Sequence, residues 1–144
     1  MWIALAVVAS MFWGVTYAIY GQLLKSLSVP TVMFFSSLVA ACVMLTASVA
    51  TKRLGADMQA LAASPGLVRL LAACIVVTIL ANVAISYSII GRNATLAAVI
   101  EIAYPVFTVL AAWLLFGEKH LNWATLVGGL LIFAGASVIA LKAA

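Results

Sequence analysis

Three observations predict an all-α integral membrane protein with five transmembrane helices. First, of 144 residues, 68% are hydrophobic and only 7% are charged, giving a mean hydropathy of +1.33. An ordinary soluble domain has roughly 45–50% apolar and about 25% charged residues, so this chain has too little polar side chain to cover a globule. Second, the charges fall between long apolar runs: residues 2–24, 29–51, 70–91 and 121–141 carry none, and 94–116 carries only Glu101. Each run reaches the about 20 residues that a spanning helix needs. Third, no run shows the roughly 10-residue alternation of a membrane β-barrel strand, and high hydropathy with low charge excludes a disordered chain.

The first span, 2–24, has no basic residue ahead of its apolar core and is longer than the core of a cleavable leader, so it is expected to persist as a helix. Lys25 to Pro30 separates it from the second span, 29–51. The longest connection, 51–66, is expected to hold one turn of interfacial helix at 57–62. The third span is drawn over 67–91, with Arg69 just ahead of its uncharged stretch. Gly91-Arg92-Asn93 and Gly117-Glu118-Lys119-His120 read as tight turns on either side of the fourth span, 94–116, with the fifth at 121–141. Residues 1–144 thus form one membrane domain with no internal repeat. Cys42 and Cys74 lie inside apolar runs without a CxxC or His neighbour and read as small buried hydrophobes rather than a disulfide.

The net charge of +4 does not indicate a nucleic-acid partner, because the bases are scattered singly apart from Lys52-Arg53. They are placed to meet lipid headgroups and to orient the chain. With the N-terminus inside, Lys52, Arg53, Arg69 and Lys119 face the cytoplasm, and Lys25, Arg92 and Lys142 face the other side. Four against three is almost no bias, which permits insertion in both orientations.

Polar groups at membrane depth must be satisfied or face water. Glu101 is the only ionisable residue well inside a span, seven residues past Ala94 and so roughly 10 Å along the helix. On a continuous helix Tyr104 and Thr108, at i+3 and i+7, share its face. Pro105 removes the donor that would meet the Glu101 carbonyl and marks a helix break. On the third span Thr78, Asn82 and Ser86 recur every four residues, and on the first Ser10, Trp13, Thr16, Tyr17 and Tyr20 fall within one arc. Facing one another, these stripes would line a hollow of aromatic rings, a few hydrogen-bonding groups and one carboxylate, suited to an organic solute.

A structural reading stands beside this one. Ser, Thr and Asn in membrane helices bond to neighbouring helices or to their own backbone. Trp2 and Trp123 fit interface belts, and Glu101 can reach Arg92 or headgroups. On the fifth span Thr125, Gly128 and Gly135, with Gly129 beside them, read as a packing face; Gly14 and Gly21 on the first carry the same ambiguity. His120 is the sole histidine and lies in a turn, and no metal-ligand cluster, nucleophile elbow or phosphate loop is present in the sequence. The sequence therefore predicts no catalysis, no metal and no cofactor.

Phe12-Trp13-Gly14, Tyr87-Ser88, Tyr104-Pro105-Val106-Phe107, Leu115-Phe116-Gly117-Glu118 and the glycines 128, 129 and 135, in this order, resemble a single EamA-type domain of the drug/metabolite transporter superfamily. The resemblance covers essentially the whole chain. Ser37 stands near where family members often carry an arginine. A first-span glutamate like that of the related small multidrug resistance proteins is replaced by Trp13 or a neighbour. The resemblance implies movement of small metabolites or drugs by alternating access. It also implies that the chain is one half of the ten-helix inverted-repeat architecture, since full-length members pair two five-span halves in opposite orientation.

Together, residues and resemblance predict a multi-pass transporter subunit of a cell membrane, such as a bacterial inner membrane. It is expected to act as an antiparallel homodimer or beside a second five-span protein. Trp13, Tyr17, Tyr20, Asn82, Ser86, Tyr104 and Thr108 are the expected solute contacts, and Glu101 is expected to bind protons or a cationic group. The alternatives are a non-transporting membrane subunit or scaffold of a larger complex, and a flippase for a lipid-linked substrate.

Overall fold

A computed structural model describes residues 1–118 and 123–143. Lys119 and His120 of the predicted turn, and residues 121–122 of the predicted last span, lie outside the described residues. Among the described residues the regular elements are all helices: α1 (Trp2–Leu23), α2 (Val29–Ala50), α3 (Leu54–Ala63), α4 (Pro65–Gly91), α5 (Ala94–Glu101), α6 (Tyr104–Phe116) and α7 (Trp123–Ala143). Five stretches have the length and composition to cross a membrane: α1, α2, α4, α5 and α6 taken together, and α7 to Lys142.

Sequence chemistry sets the helix ends. All three prolines stand in a first turn, Pro30 in α2, Pro65 in α4 and Pro105 in α6, where a missing N–H leaves no intrahelical bond unmade. Asn93 is extended and its Oδ1 accepts from the Leu96 N–H at 2.9 Å, capping α5. Asn93→Ala is expected to lower stability by about 1 kcal/mol, read as an earlier midpoint in a denaturant titration in detergent. Gly117 ends α6 in the left-handed region at φ 68°, and its N–H bonds to the Trp113 carbonyl at 3.0 Å.

The interfacial helix between the second and third spans is longer than expected. Instead of one turn at 57–62, α3 runs ten residues over Leu54–Ala63. Leu, Met, Gln and Ala are strong helix formers, and propagation continues until Ser64, held extended by the following Pro65. At 27 residues α4 is roughly 40 Å long, against a hydrocarbon core of about 30 Å. It starts two residues before the predicted 67, and its first turns have length to spare for carrying Arg69 to headgroup level.

The chain divides into two compact units, Leu23–Tyr87 on one hand and Met1–Gln22 with Ser88–Ala144 on the other. In the Leu23–Tyr87 unit, hydroxyls inside the spans are satisfied along their own helix: Thr46 Oγ1 donates to the Cys42 carbonyl at 2.8 Å, and Thr51 Oγ1 to Ala47 at 2.9 Å. Cys42 and Cys74 are free thiols on the exposed surface, not the buried hydrophobes expected from their apolar neighbours. Apolar surroundings in sequence do not separate interior from exterior in a membrane helix, because lipid is as apolar as a core.

In the other unit α7 packs on α5 and α6. The buried residues there are mostly alanines, Ala97, Ala103 and Ala136, together with Ile89, as expected where helices associate by close backbone approach rather than by expelling water. The tight glycine of α7 is Gly129, where an added Cβ would meet Val106 Cγ2 at 3.4 Å. At Gly128 and Gly135, the positions expected to pack, an added Cβ meets nothing within 4 Å inside the chain. Gly128 and Gly129 are adjacent in sequence, and a period of 3.6 residues does not tell which of two adjacent residues faces the neighbour.

Candidate functional site

The fourth span, Ala94–Phe116, carries one irregular turn, through which the backbone stays in the right-handed helical region. α5 stops at Glu101, Ile102 and Ala103 form a turn, and α6 starts at Tyr104. The turn is closed by short-range bonds, from the Ala103 N–H to the Ile100 carbonyl at 3.2 Å and from the Val106 N–H to Ala103 at 3.1 Å. Proline offers no N–H to the residue four back, so Pro105 cannot bond the Glu101 carbonyl and the regular bonding of α5 ends there. The carboxylate thus stands at the last residue of one helix, three residues from the start of the next. Irregular turns of this kind are tolerated at membrane depth only where protein or water satisfies the freed backbone.

α1 reaches this turn along a seam with α5. At one end an added Cβ on Gly21 would stand 3.0 Å from Ala94 Cβ, a tight approach that any side chain there would have to relieve by a small shift. Tyr17 lies one turn back along α1, and Glu101 two turns on along α5, roughly 6 Å and 10 Å of helix from that contact. The helices therefore run antiparallel, and the length of the tyrosine side chain closes the remaining gap. The Tyr17 hydroxyl donates a hydrogen bond to Glu101 Oε2. Both residues are half-buried. The Trp13 ring, one turn further along α1, lies with its centroid 6.0 Å from that of Tyr17, tilted by 32°.

The other residues expected at the site fall in both units. Tyr20 is half-buried on α1. Tyr104 is 62% exposed, and Thr108 is exposed with its hydroxyl donating to the Tyr104 carbonyl at 3.1 Å. The turn at Ile102–Ala103 lies between Glu101 and the Tyr104 and Thr108 that were expected on its face. In the Leu23–Tyr87 unit the third-span stripe bonds along its own helix: Asn82 Nδ2 donates to the Thr78 carbonyl at 2.9 Å and Ser86 Oγ to Asn82 at 2.7 Å. Ser86 is fully buried and Asn82 half-buried. On α1, Thr16 likewise donates to the Phe12 carbonyl at 2.9 Å.

A cleft of about 580 Å³ lies between α6 and α7, bordered by Pro105, Val106, Leu126, Gly129 and Phe133. It contains neither Tyr17 nor Glu101, and Thr125 is the only polar side chain in its wall. The Tyr17–Glu101 contact therefore lies between α1 and α5 and not in this cleft. Gly21 is the residue whose part in the seam was least visible in sequence; its pairing with Gly14 hid it, and Gly14 faces open space. Among the described residues no group of three or more His, Cys, Asp or Glu stands close enough together to hold a metal ion.

No curated protein and no solved structure matches the chain. The profile of the EamA-like transporter family matches residues 1–141, which takes in α1 through nearly all of α7. With five membrane-crossing stretches and this match along almost its full length, the chain belongs to the EamA-like transporter family.

Proposed function

We propose that the protein is a transporter subunit that moves a small organic solute by alternating access, as an antiparallel homodimer in a bacterial inner membrane. The observation that carries the reading is the hydrogen bond from Tyr17 to Glu101 at the irregular turn of the fourth span. An ionisable group inside a span is costly to keep unless it works, and irregular helical backbone at membrane depth is the usual setting of a transporter's binding site. Glu101 exchanges its tyrosine partner for a proton or a cationic group of the solute. Trp13, Tyr17, Tyr20 and Tyr104 supply aromatic contact, and Thr108 supplies a hydroxyl.

Five spans place the two ends of the chain on opposite sides of the membrane, and the loop charges hardly favour either orientation. Two oppositely inserted copies then rebuild an inverted repeat, in which one copy rocks against the other about a midplane site. The test is transport of a solute panel by purified protein in liposomes, with and without a pH gradient, combined with labelling of a C-terminal tag from each side in cells. Solute-specific uptake with tags on both sides is expected. Tags on one side alone would reject the antiparallel pair, and a protein that moves no member of the panel while remaining folded would favour the non-transporting subunit. Uptake of lipid-linked sugars alone would identify a flippase.

A further inference from the structure

The geometry points to a monovalent organic cation with an aromatic or apolar body as the ligand of the α1–α5 seam, with the Tyr17 hydroxyl occupying the ammonium position until the ligand arrives. This inference rests on the transport reading for its biological use but not for its chemistry. The chain has three acids, and Glu101 is the only one within a span. One carboxylate balances one positive charge. A divalent metal ion needs several oxygen ligands, and the described residues offer no acidic cluster to supply them.

The surroundings of the carboxylate select further. Among the described residues Lys25, Lys52, Arg53, Arg69, Arg92 and Lys142 all lie near helix ends or in connections, so none of these bases stands mid-span to receive an anion. Beside the carboxylate stands the ring of Tyr17, and 6.0 Å from that ring, centroid to centroid, lies the half-exposed ring of Trp13. A cation over the face of such a ring is attracted by the ring quadrupole, most strongly where water is excluded. The ammonium N–H replaces the phenol O–H as donor to Oε2, and the freed Tyr17 ring turns from a hydrogen-bonding partner into a wall. Tyr17 is thus a competitor of the ligand as well as a contact, whereas Glu101 and Trp13 are contacts only.

These different roles give a pattern that a purely structural seam does not produce. Calorimetric titration of the protein in lipid nanodiscs with benzylammonium, benzyl alcohol and benzoate, at one fixed pH, compares charge at constant ring size. Benzylammonium is expected to bind at least about tenfold more tightly than either of the others. Tyr17→Phe removes the competing donor and keeps the ring, and is expected to tighten benzylammonium binding by roughly three- to tenfold. Trp13→Leu is expected to weaken it by a similar factor, and Glu101→Gln to remove the preference for the cation.

Equal binding of the three ligands by the unmodified protein overturns the inference without any variant, as does a Tyr17→Phe protein that is monodisperse and binds benzylammonium no better than before. Cation-selective binding without uptake into liposomes would uphold the site and reject the transporter. Uptake of neutral or anionic solutes alone would do the reverse.

Discussion

Glu101→Gln is expected to leave the fold intact while lowering transport by on the order of tenfold to a hundredfold and flattening whatever pH dependence remains. The substitution keeps size and an acceptor oxygen, so the Tyr17 hydroxyl still has a partner at the end of α5. It removes the negative charge, whose burial in a membrane helix costs energy, so stability should hold or rise. A hydrogen bond to a charged group is worth about 1.5–3 kcal/mol, and this is the contact that a proton or cation would lose. Initial uptake rates at several pH values check the result. Unchanged rates with an unchanged pH profile would remove Glu101 from the transport cycle and leave it as a strut between α1 and α5.

Gly21→Leu carries the second large effect, on stability. An added Cβ at this position already stands 3.0 Å from Ala94 Cβ, and the further carbons of leucine have to enter the same seam. Overpacking of this kind costs about 1–3 kcal/mol, and relief by moving α1 away from α5 would stretch the Tyr17–Glu101 bond one turn further on. The variant should therefore unfold earlier in a detergent titration and lose ligand binding together. Gly21→Ala should do less, and Ala94→Gly added to it should restore much of the loss, since the pair then has one methyl group where the native seam has one. A Gly21→Leu protein as stable as the original would show that α1 and α5 do not meet there.

Much of the architecture was legible because bilayer thickness leaves few choices. An apolar run of twenty or more residues without charge has one stable form in lipid, and Pro30, Pro65, Asn93 and Gly117 punctuate the runs by local chemistry that needs no tertiary knowledge. The length of α3 was not legible from the punctuation of the connection, because it follows from the helix propensity of Leu54 to Ala63. Pro105 announced an irregularity, but its form depended on how the Ile102–Ala103 turn closes.

The site was legible as a set of residue types and not as a geometry. Glu101 stood out because an acid in a span is rare, and Tyr17 because it lies on an aromatic stripe. That the two would bond to each other is a long-range fact: 84 positions separate them, and the register between α1 and α5 is fixed by a glycine that looked like any other. Within the chain, the glycines of α7 show the same dependence on the partner. Small residues mark surfaces where a helix can be approached, but only the partner's position tells which one is used, and here it is Gly129 against Val106.

The most direct test of carriage is whether water reaches the irregular turn of the fourth span. In a background with Cys42 and Cys74 replaced by alanine, a cysteine in place of Tyr104 beside the turn is treated with a membrane-impermeant thiol reagent in sealed vesicles. Labelling from the aqueous phase that slows when transported solute is present is the predicted result. A thiol that reacts only with a lipid-soluble reagent, at a rate indifferent to solute, would contradict it.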